Sequence, residues 1–311
     1  MRQPCLEIAE SLTRRVVLGG LAASAAVTTS RAAIVNLVAV GNDGWLFPIW
    51  DEVRHSDLKR VGNVAELLRN AVNVLKQAKV EVVFALTPTK SRTYREMLPD
   101  DFKFSPDADR RYGRALEELQ RAGGFVADLL PPLMAYRAAN VSESMFFKGD
   151  THWTPAGAQA AATELARILR LKGILPKSAS PGTSLASATT LAWGKNDLAA
   201  LLPLTDAAKY PMEKYRVRLP AQAPGGLIDD DVADVVVVGN SFMQPRLGFA
   251  SMLSSQLNRP VSLSWKVHQF GPYETLLEYL GTDAYRRRKP GLIVWNLHET
   301  DMTMPVDARD G

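Results

Sequence analysis

The chain is poor in cysteine, in histidine and in net charge, and each shortage excludes a class of site. Its 311 residues include one cysteine, Cys5, inside a segment typical of export signals. We therefore expect no disulfide, no thiol catalysis and no cysteine-ligated metal in the mature protein. The four histidines lack HExxH and HxH spacing, so we expect neither a metal nor another cofactor. A net charge of +4 suits an anionic polysaccharide or a membrane surface, but is too small to indicate nucleic acid.

Long apolar runs are also missing. A membrane-spanning helix needs about 20 apolar residues, and no stretch reaches that length. The N-terminus instead carries the arginine pair Arg14 and Arg15, a short region rich in alanine and glycine, and small residues around Ala32. This pattern predicts a twin-arginine-like export signal over residues 1–33, or an uncleaved anchor at the inner membrane. Residues 34–311 are then expected in the bacterial periplasm.

Strand and helix patterns alternate over most of residues 34–311. β-branched apolar runs predict strands, and apolar residues spaced three and four apart predict helices. The strands are expected at residues 80–86, 125–130, 234–238, 261–268 and 292–297, and the helices at 58–78, 107–122, 156–171 and 273–280. This order predicts a single α/β domain, a three-layer sandwich around a mainly parallel sheet. Residues of about 176–230 show little periodicity and are expected to form an irregular insertion with a short helix near Leu198.

Asp150 and His152 lie two residues apart, just before a predicted helix. Thr154 is suited to the N-cap position of this helix and Pro155 to its first turn. One interpretation is a polar loop that only caps the helix. The other is an imidazole and its orienting carboxylate, held on a loop that the helix start fixes in place.

Ser241 follows the buried strand pattern of residues 235–238, four consecutive valines, and the turn residues Gly239 and Asn240. A serine here is commonly just an N-cap. It is also where strand–turn–helix nucleophiles lie, with helix N–H groups available to an oxyanion. Together with Asp150 and His152 it completes the residue types of a Ser-His-Asp triad, and triads do not depend on chain order.

Several segments resemble the alginate O-acetyltransferase AlgJ/AlgX family, whose members have an SGNH-hydrolase-like fold. Residues 149–158, with the sequence GDTHWTPAGA, resemble the most specific motif of that family. Weaker likenesses follow in the family's order: DGWLF at 43–47, TPTK at 87–90 with LP at 98–99, VGNSF at 238–242, and the strand segment at 289–299. The resemblance spans most of the chain from residue 42 onward.

This resemblance implies a role for each residue of the candidate triad. Ser241 would be the nucleophile that accepts an acetyl group, His152 the general base and acid, and Asp150 its orienting partner. The acceptor would be a hydroxyl of an exopolysaccharide in the periplasm. The resemblance also implies a membrane-bound O-acyltransferase as the partner that delivers the acetyl group.

Two residues depart from the family pattern. Asn240 stands before the serine, where the family usually has Asp or Thr, and as a neutral donor it is a candidate for the oxyanion. Asn296 stands in the last strand, where the family often has Glu after Trp, which suits a diverged subgroup or an altered substrate.

Four further residues are substrate candidates. Trp153 lies beside the Asp150–His152 pair, and Tyr273 follows a Gly-Pro pair after a strand. Lys90 and Arg92 follow a strand end and are expected to be solvated, or to contact an anionic sugar.

Three functions fit these residues. The first is an exported acyltransferase, a polysaccharide O-acetyltransferase that works through a serine acyl-enzyme. The second is a carbohydrate acetylesterase with the same triad, in which water is the acceptor. The third is a non-catalytic polysaccharide-binding scaffold that retains the fold.

Overall fold

The computed structural model describes residues 34–35, 37–221, 233–267 and 271–304. The predicted export signal at 1–33 lies outside the described residues. Within the described ranges the strands are β1 (Ile34–Val35), β2 (Val38–Val40), β3 (Leu46–Pro48), β4 (Glu81–Thr87), β5 (Phe125–Asp128), β6 (Thr189–Trp193), β7 (Glu213–Val217), β8 (Val235–Gly239), β9 (Val261–Trp265) and β10 (Leu292–His298). The α-helices are α1 (Leu58–Gln77), α2 (Lys90–Thr93), α3 (Pro106–Arg121), α4 (Leu130–Ala139), α5 (Pro155–Lys172), α6 (Leu204–Ala207), α7 (Phe249–Leu257), α8 (Gly271–Leu280) and α9 (Asp283–Arg287).

The central sheet has five parallel strands in the order β5-β4-β10-β8-β9. The inner strands β4, β10 and β8 are buried almost throughout, which is why their sequences are near-continuous apolar runs rather than alternating ones. All five predicted strands are present with boundaries within a few residues. The prediction of an α/β fold with a parallel sheet is confirmed.

Helices cover both faces of this sheet. On one face, β4 and β10 residues such as Phe84 and Trp295 form a core with the apolar sides of α1, α3 and α8. On the other face, residues such as Val83 and Val294 form a second core with α4, α5 and α7. Adjacent strand residues point to opposite faces, so the two cores alternate along each strand. The result is the predicted three-layer arrangement.

The predicted irregular insertion contains more regular structure than its sequence indicated. β6 and β7 form a two-stranded antiparallel sheet, and a 3-10 helix at Ala199–Leu201 and α6 lie between them. The exposed side chains of β6 leave little apolar pattern to detect. Outside the central sheet, β1, β2 and β3 form a separate three-stranded antiparallel sheet.

The carboxyl ends of β4, β8 and β10 are neighbours because these strands are adjacent and parallel. Ligand sites of open α/β sheets lie at such ends, particularly where consecutive crossovers leave in opposite directions. Among the helices in the described ranges, none combines the length and apolar character that a membrane span requires.

Candidate active site

The loop before α5 is fixed by a helix cap, as predicted. The Thr154 side chain accepts the backbone N–H of Gly157, and α5 begins at Pro155. Gly157 also permits close packing, because a Cβ there would lie 2.4 Å from the carbonyl oxygen of Met145. The capped helix start therefore holds Asp150 and His152 in a fixed position.

Ser241 lies at the carboxyl end of β8, where the sequence placed it. It opens a 3-10 helix, Ser241–Met243, rather than the α-helix that was expected, and α7 begins only at Phe249. Asn240 caps this turn with its Oδ1, which accepts the N–H of Phe242 at 3.0 Å. The prediction that an α-helix begins at Ser241 is therefore wrong, and the N–H groups at this position belong to a three-residue turn.

Gly239, the last residue of β8, has no room for a side chain. A Cβ on Gly239 would lie 2.7 Å from Cγ of Met243 and 2.8 Å from Cβ of Asn296 in β10. Asn296 itself is buried and donates from Nδ2 to the Ala85 carbonyl and to Thr87 Oγ1 in β4. Asn296 therefore links the carboxyl ends of β10 and β4, next to Gly239 at the end of β8.

The structure brings Ser241, His152 and Asp150 together in one hydrogen-bonded chain. His152 Nε2 lies 2.9 Å from Ser241 Oγ, and His152 Nδ1 lies 2.7 Å from Asp150 Oδ1. A carboxylate at Nδ1 assigns the ring proton to that nitrogen, which leaves Nε2 to accept the serine O–H. This is the geometry that activates a serine nucleophile.

Asp150 is fully buried but amply hydrogen-bonded. Its Oδ2 accepts Nε1–H of Trp193 at 2.9 Å and the N–H of Asp197 at 3.0 Å, while Oδ1 also accepts the N–H of His152. Burial alone would raise the pKa of this carboxyl. The hydrogen bonds and charge of His152, with the Trp193 donor, outweigh burial and hold the pKa of Asp150 well below its usual range. The carboxylate is therefore ionised when it orients His152.

Asp197 is a second carboxylate near the imidazole, and the sequence analysis missed it. Its Oδ2 lies 3.6 Å from His152 Nδ1, and its Oδ1 accepts the N–H of Thr151 at 2.7 Å. Burial and the neighbouring Asp150 charge raise the pKa of Asp197 to about 6. Asp150, His152 and Asp197 are close enough to hold a metal ion, but N–H donors already engage their oxygens, which disfavours a cation there.

Lys90 is not a substrate residue, which corrects the prediction. It is 1% exposed, and its Nζ donates to the carbonyls of Lys148 and Asp150 at 2.8 and 2.9 Å. Burial lowers the pKa of Lys90 to about 8, against the opposing effect of nearby carboxylates. The buried ammonium therefore binds two carbonyl groups of the loop at residues 148–152.

Arg92 is likewise a structural residue rather than a solvated or sugar-binding one. Its Nη2 and Nε donate to the two carboxylate oxygens of Glu299 at 2.7 and 2.9 Å. Arg111 donates from Nε to the same carboxylate at 3.0 Å. The buried Glu299, at the end of β10, thus binds two guanidinium groups.

Trp153 and Tyr273 are also buried side chains that pack within the protein. Trp153 is fully buried, stacks on Phe249, and donates from Nε1 to the Phe242 carbonyl at 2.9 Å. It supports the turn that carries the serine. Tyr273 packs edge-on against Trp295 in the core on the other face of the sheet. Of the proposed oxyanion and substrate residues, only Asn240 lies beside the nucleophile.

The insertion makes direct contacts with the loop at residues 148–152. Both oxygens of Glu213 in β7 accept loop N–H groups, from Lys148 at 2.9 Å and Gly149 at 2.8 Å. Trp193 at the end of β6 supplies the indole donor to Asp150. Neither contact was predicted. The one signal in the sequence is the tryptophan itself, since such a large side chain is usually buried.

Comparisons with known proteins agree with this fold. The family profile for the SGNH hydrolase-like domain of acetyltransferase AlgX matches residues 38–299. The probable alginate O-acetylase AlgJ of Pseudomonas syringae pv. tomato is 31% identical over 275 residues, which are 84% of this chain and 68% of the relative. The AlgJ protein of Pseudomonas putida is 29% identical over 283 residues, 87% of this chain and 71% of the relative.

Solved structures of AlgJ and AlgX have the same fold. The O-acetyltransferase domain of Pseudomonas putida AlgJ superposes with a TM-score of 0.74 at 26% identity, covering 88% of this chain and 95% of that domain. Pseudomonas aeruginosa AlgX has a TM-score of 0.61 at 22% identity, covering 84% of this chain and 62% of that protein, and this likeness shows the fold alone. With its parallel sheet, its serine and histidine loops and a profile match over most of its length, the chain belongs to the family of the SGNH hydrolase-like domain of acetyltransferase AlgX.

Proposed function

We propose that this protein is an O-acetyltransferase that carries an acetyl group on Ser241 and passes it to a hydroxyl of an exopolysaccharide. The observation that carries this proposal is the chain from Ser241 Oγ through His152 to Asp150, with distances of 2.9 and 2.7 Å. Relatives named as alginate O-acetylases support the reaction class, and alginate or a related polymer is the acceptor we propose.

In the first half-reaction, Ser241 Oγ attacks the carbonyl carbon of the acetyl donor. His152 Nε2 takes the serine proton as the new C–O bond forms. When the tetrahedral intermediate collapses, the bond from carbon to the leaving group breaks, and His152 returns the proton to that group. The product is an acetyl ester on Ser241.

In the second half-reaction, a sugar hydroxyl attacks the same carbonyl carbon. His152 takes the hydroxyl proton, the bond between the acetyl carbon and Ser241 Oγ breaks, and the proton returns to the serine. Each half-reaction passes through an imidazolium, whose charge the ionised Asp150 stabilises at Nδ1.

Negative charge develops on the acetyl oxygen in both intermediates. The donors we assign to it are the backbone N–H of Ser241 and the side-chain amide of Asn240, both at the start of the turn after β8. Since Asn240 Oδ1 accepts the Phe242 N–H, its Nδ2 is the donor end of that amide.

We also place the reaction outside the cytoplasm, with a membrane-bound O-acyltransferase as the source of acetyl groups. The arginine pair at Arg14 and Arg15 supports the location, and the resemblance of the DTHW loop supports the partner. Fractionation of cells that express the full chain tests the location, and recovery of the protein only from the cytoplasm would contradict it.

A chromogenic acetyl ester tests the serine mechanism. Purified protein should release the chromophore, and Ser241→Ala should lower kcat/KM by at least about a thousandfold, as expected when the nucleophile of a triad is lost. Mass spectrometry of the intact protein should show one acetyl group on the wild type and none on the variant. Equal turnover by both proteins would overturn the mechanism.

An added uronic acid oligosaccharide separates transfer from hydrolysis. Under the proposal, the oligosaccharide gains acetyl groups, while free acetate forms more slowly. Ser241-dependent turnover that yields only acetate at every oligosaccharide concentration would instead indicate an esterase, because water is then the sole acceptor.

A further inference from the structure

Arg246 lies five residues after the nucleophile, in a 3-10 helix, Pro245–Leu247. Its guanidinium carbon lies 3.8 Å from the ring centroid of Trp193, a stacking distance. Its Nε donates to Oε1 of the buried Gln244 at 2.8 Å. Stacking and the hydrogen bond together fix the plane of the guanidinium.

Trp193 connects this guanidinium to the catalytic centre. The indole Nε1 donates to Asp150, and the indole ring lies 6.2 Å from the imidazole of His152. Phe147 stacks on the same indole at 4.5 Å. Since Phe147 and Arg246 cannot occupy the same side, Arg246 covers the opposite face of the indole. It is therefore held one aromatic ring away from His152.

The charge of Arg246 has no counter-ion in the described part of the chain. No carboxylate of those residues lies within 4.0 Å of its guanidinium, and its Nη2 is buried without a hydrogen-bond partner among them. Arg92 and Arg111, in contrast, both pair with Glu299. A buried cationic N–H without a partner is unfavourable, and such groups are usually satisfied by a protein atom, water or a ligand.

We propose that Arg246, held by Trp193 and Gln244, forms a subsite for the carboxylate of an acidic sugar residue in the acceptor. The Arg246 side chain is partly exposed. With Nε bound to Gln244 and Nη2 buried, Nη1 is the nitrogen that can donate to a carboxylate, and one guanidinium balances the single charge of that group. The subsite selects acidic polysaccharides and positions the sugar hydroxyl near Ser241. This inference rests on the proposed acetyl transfer to a polysaccharide.

Binding without an acetyl donor tests the subsite separately from turnover. The two probes are a uronic acid oligosaccharide and its carboxyl-reduced counterpart, which has the same length and linkage but no charge. The wild-type protein should bind the uronic acid oligosaccharide more tightly. Arg246→Gln should weaken that binding by about ten- to a hundredfold, the value of one or two charge-assisted hydrogen bonds, and should remove most of the preference over the neutral probe.

Two further variants sharpen the result. Arg246→Lys keeps the charge but not the planar fork, so an intermediate loss is expected. Arg216→Gln removes an exposed arginine of β7, 67% exposed, and should leave both affinities unchanged. Thermal unfolding of each variant checks that it is folded.

The subsite would be overturned if the wild type bound both probes equally, or if Arg246→Gln lost the same affinity for both probes. Arg246 would then only support Trp193. Arg246-dependent binding of the uronic acid probe supports the subsite. If such binding is found but no acetyl reaches the oligosaccharide when the chromogenic ester is added, the transferase function fails while the subsite stands. The two failures are therefore distinguishable.

Discussion

At the scale of single residues, the orientation of His152 depends on how Asp150 is held. Asp150 accepts N–H groups from the backbone and ring of His152, from the indole of Trp193 and from the backbone of Asp197. These donors fix both carboxylate oxygens and keep the group ionised despite burial. A change in any one of them should therefore affect catalysis through the position of the imidazole.

Trp193→Phe removes one of these donors while it keeps an aromatic ring in the stack with Phe147. We expect kcat/KM for a chromogenic acetyl ester to fall by about ten- to a hundredfold, the range for one hydrogen bond to a charged group. Trp50→Phe is the matched control, since Trp50 is 40% exposed. Full activity in Trp193→Phe would mean that Asp150 does not need the indole donor.

The grouping of Ser241, His152 and Asp150 could be predicted because the sequence signals of these residues are local. A serine after four valines and an Asp-x-His pair before a capped helix can be recognised from neighbouring residues alone. The roles of Lys90 and Arg92 cannot, because their partners lie 60 and 207 residues away. Whether a basic side chain is buried depends on such distant partners, so composition alone favoured solvent or substrate.

At the scale of elements, the hairpin of β6 and β7 supports the loop at residues 148–152. Glu213 accepts the N–H groups of Lys148 and Gly149, and Lys90 fastens the same loop through two carbonyls. The long apolar strands of the central sheet were predictable, whereas this hairpin was not. β6 is exposed except at Trp193, so it carries no alternating apolar pattern.

Glu213→Gln tests whether the hairpin holds the loop. An amide has one acceptor oxygen, so one loop N–H loses its partner and the free energy of unfolding should fall by about 1–3 kcal/mol. We expect faster hydrogen exchange at Lys148 and Gly149 and about a tenfold lower kcat. Lys214→Gln, at the exposed neighbouring position, should change none of these quantities. Unchanged exchange in Glu213→Gln would show that the loop holds its conformation without the hairpin.

At the scale of the whole molecule, Glu299 joins segments that are far apart in sequence. From the end of β10 it accepts the Thr89 N–H before α2, the Arg92 guanidinium within α2, and the Arg111 guanidinium of α3. Burial would raise the pKa of Glu299, but Arg111 and Arg92 outweigh it and lower the pKa to about 2. The ionised carboxylate thus holds α2 and α3 against the carboxyl end of β10, near the candidate active site.

This low pKa predicts how stability depends on pH. A carboxyl whose pKa is lower in the folded state stabilises the fold above its unfolded pKa, near 4.5, and this contribution is lost as the pH falls towards 2. The shift corresponds to about 3 kcal/mol. Glu299→Gln should lose about 3–5 kcal/mol at pH 7, because two buried guanidinium groups lose their counter-charge.

Urea unfolding of wild type and variant at a series of pH values between 7 and 2 measures this contribution. The difference in unfolding free energy between wild type and variant should be largest above about pH 4.5. It should shrink as the pH approaches 2, because Glu299 of the wild type then becomes protonated and loses the charge that the variant does not have. Glu117→Gln, in an exposed pair with Arg121, should differ from wild type by less than about 1 kcal/mol at every pH. A difference for Glu299→Gln that stays constant down to pH 2 would show that the carboxylate charge does not supply the stabilisation, and that the packing of its side chain does.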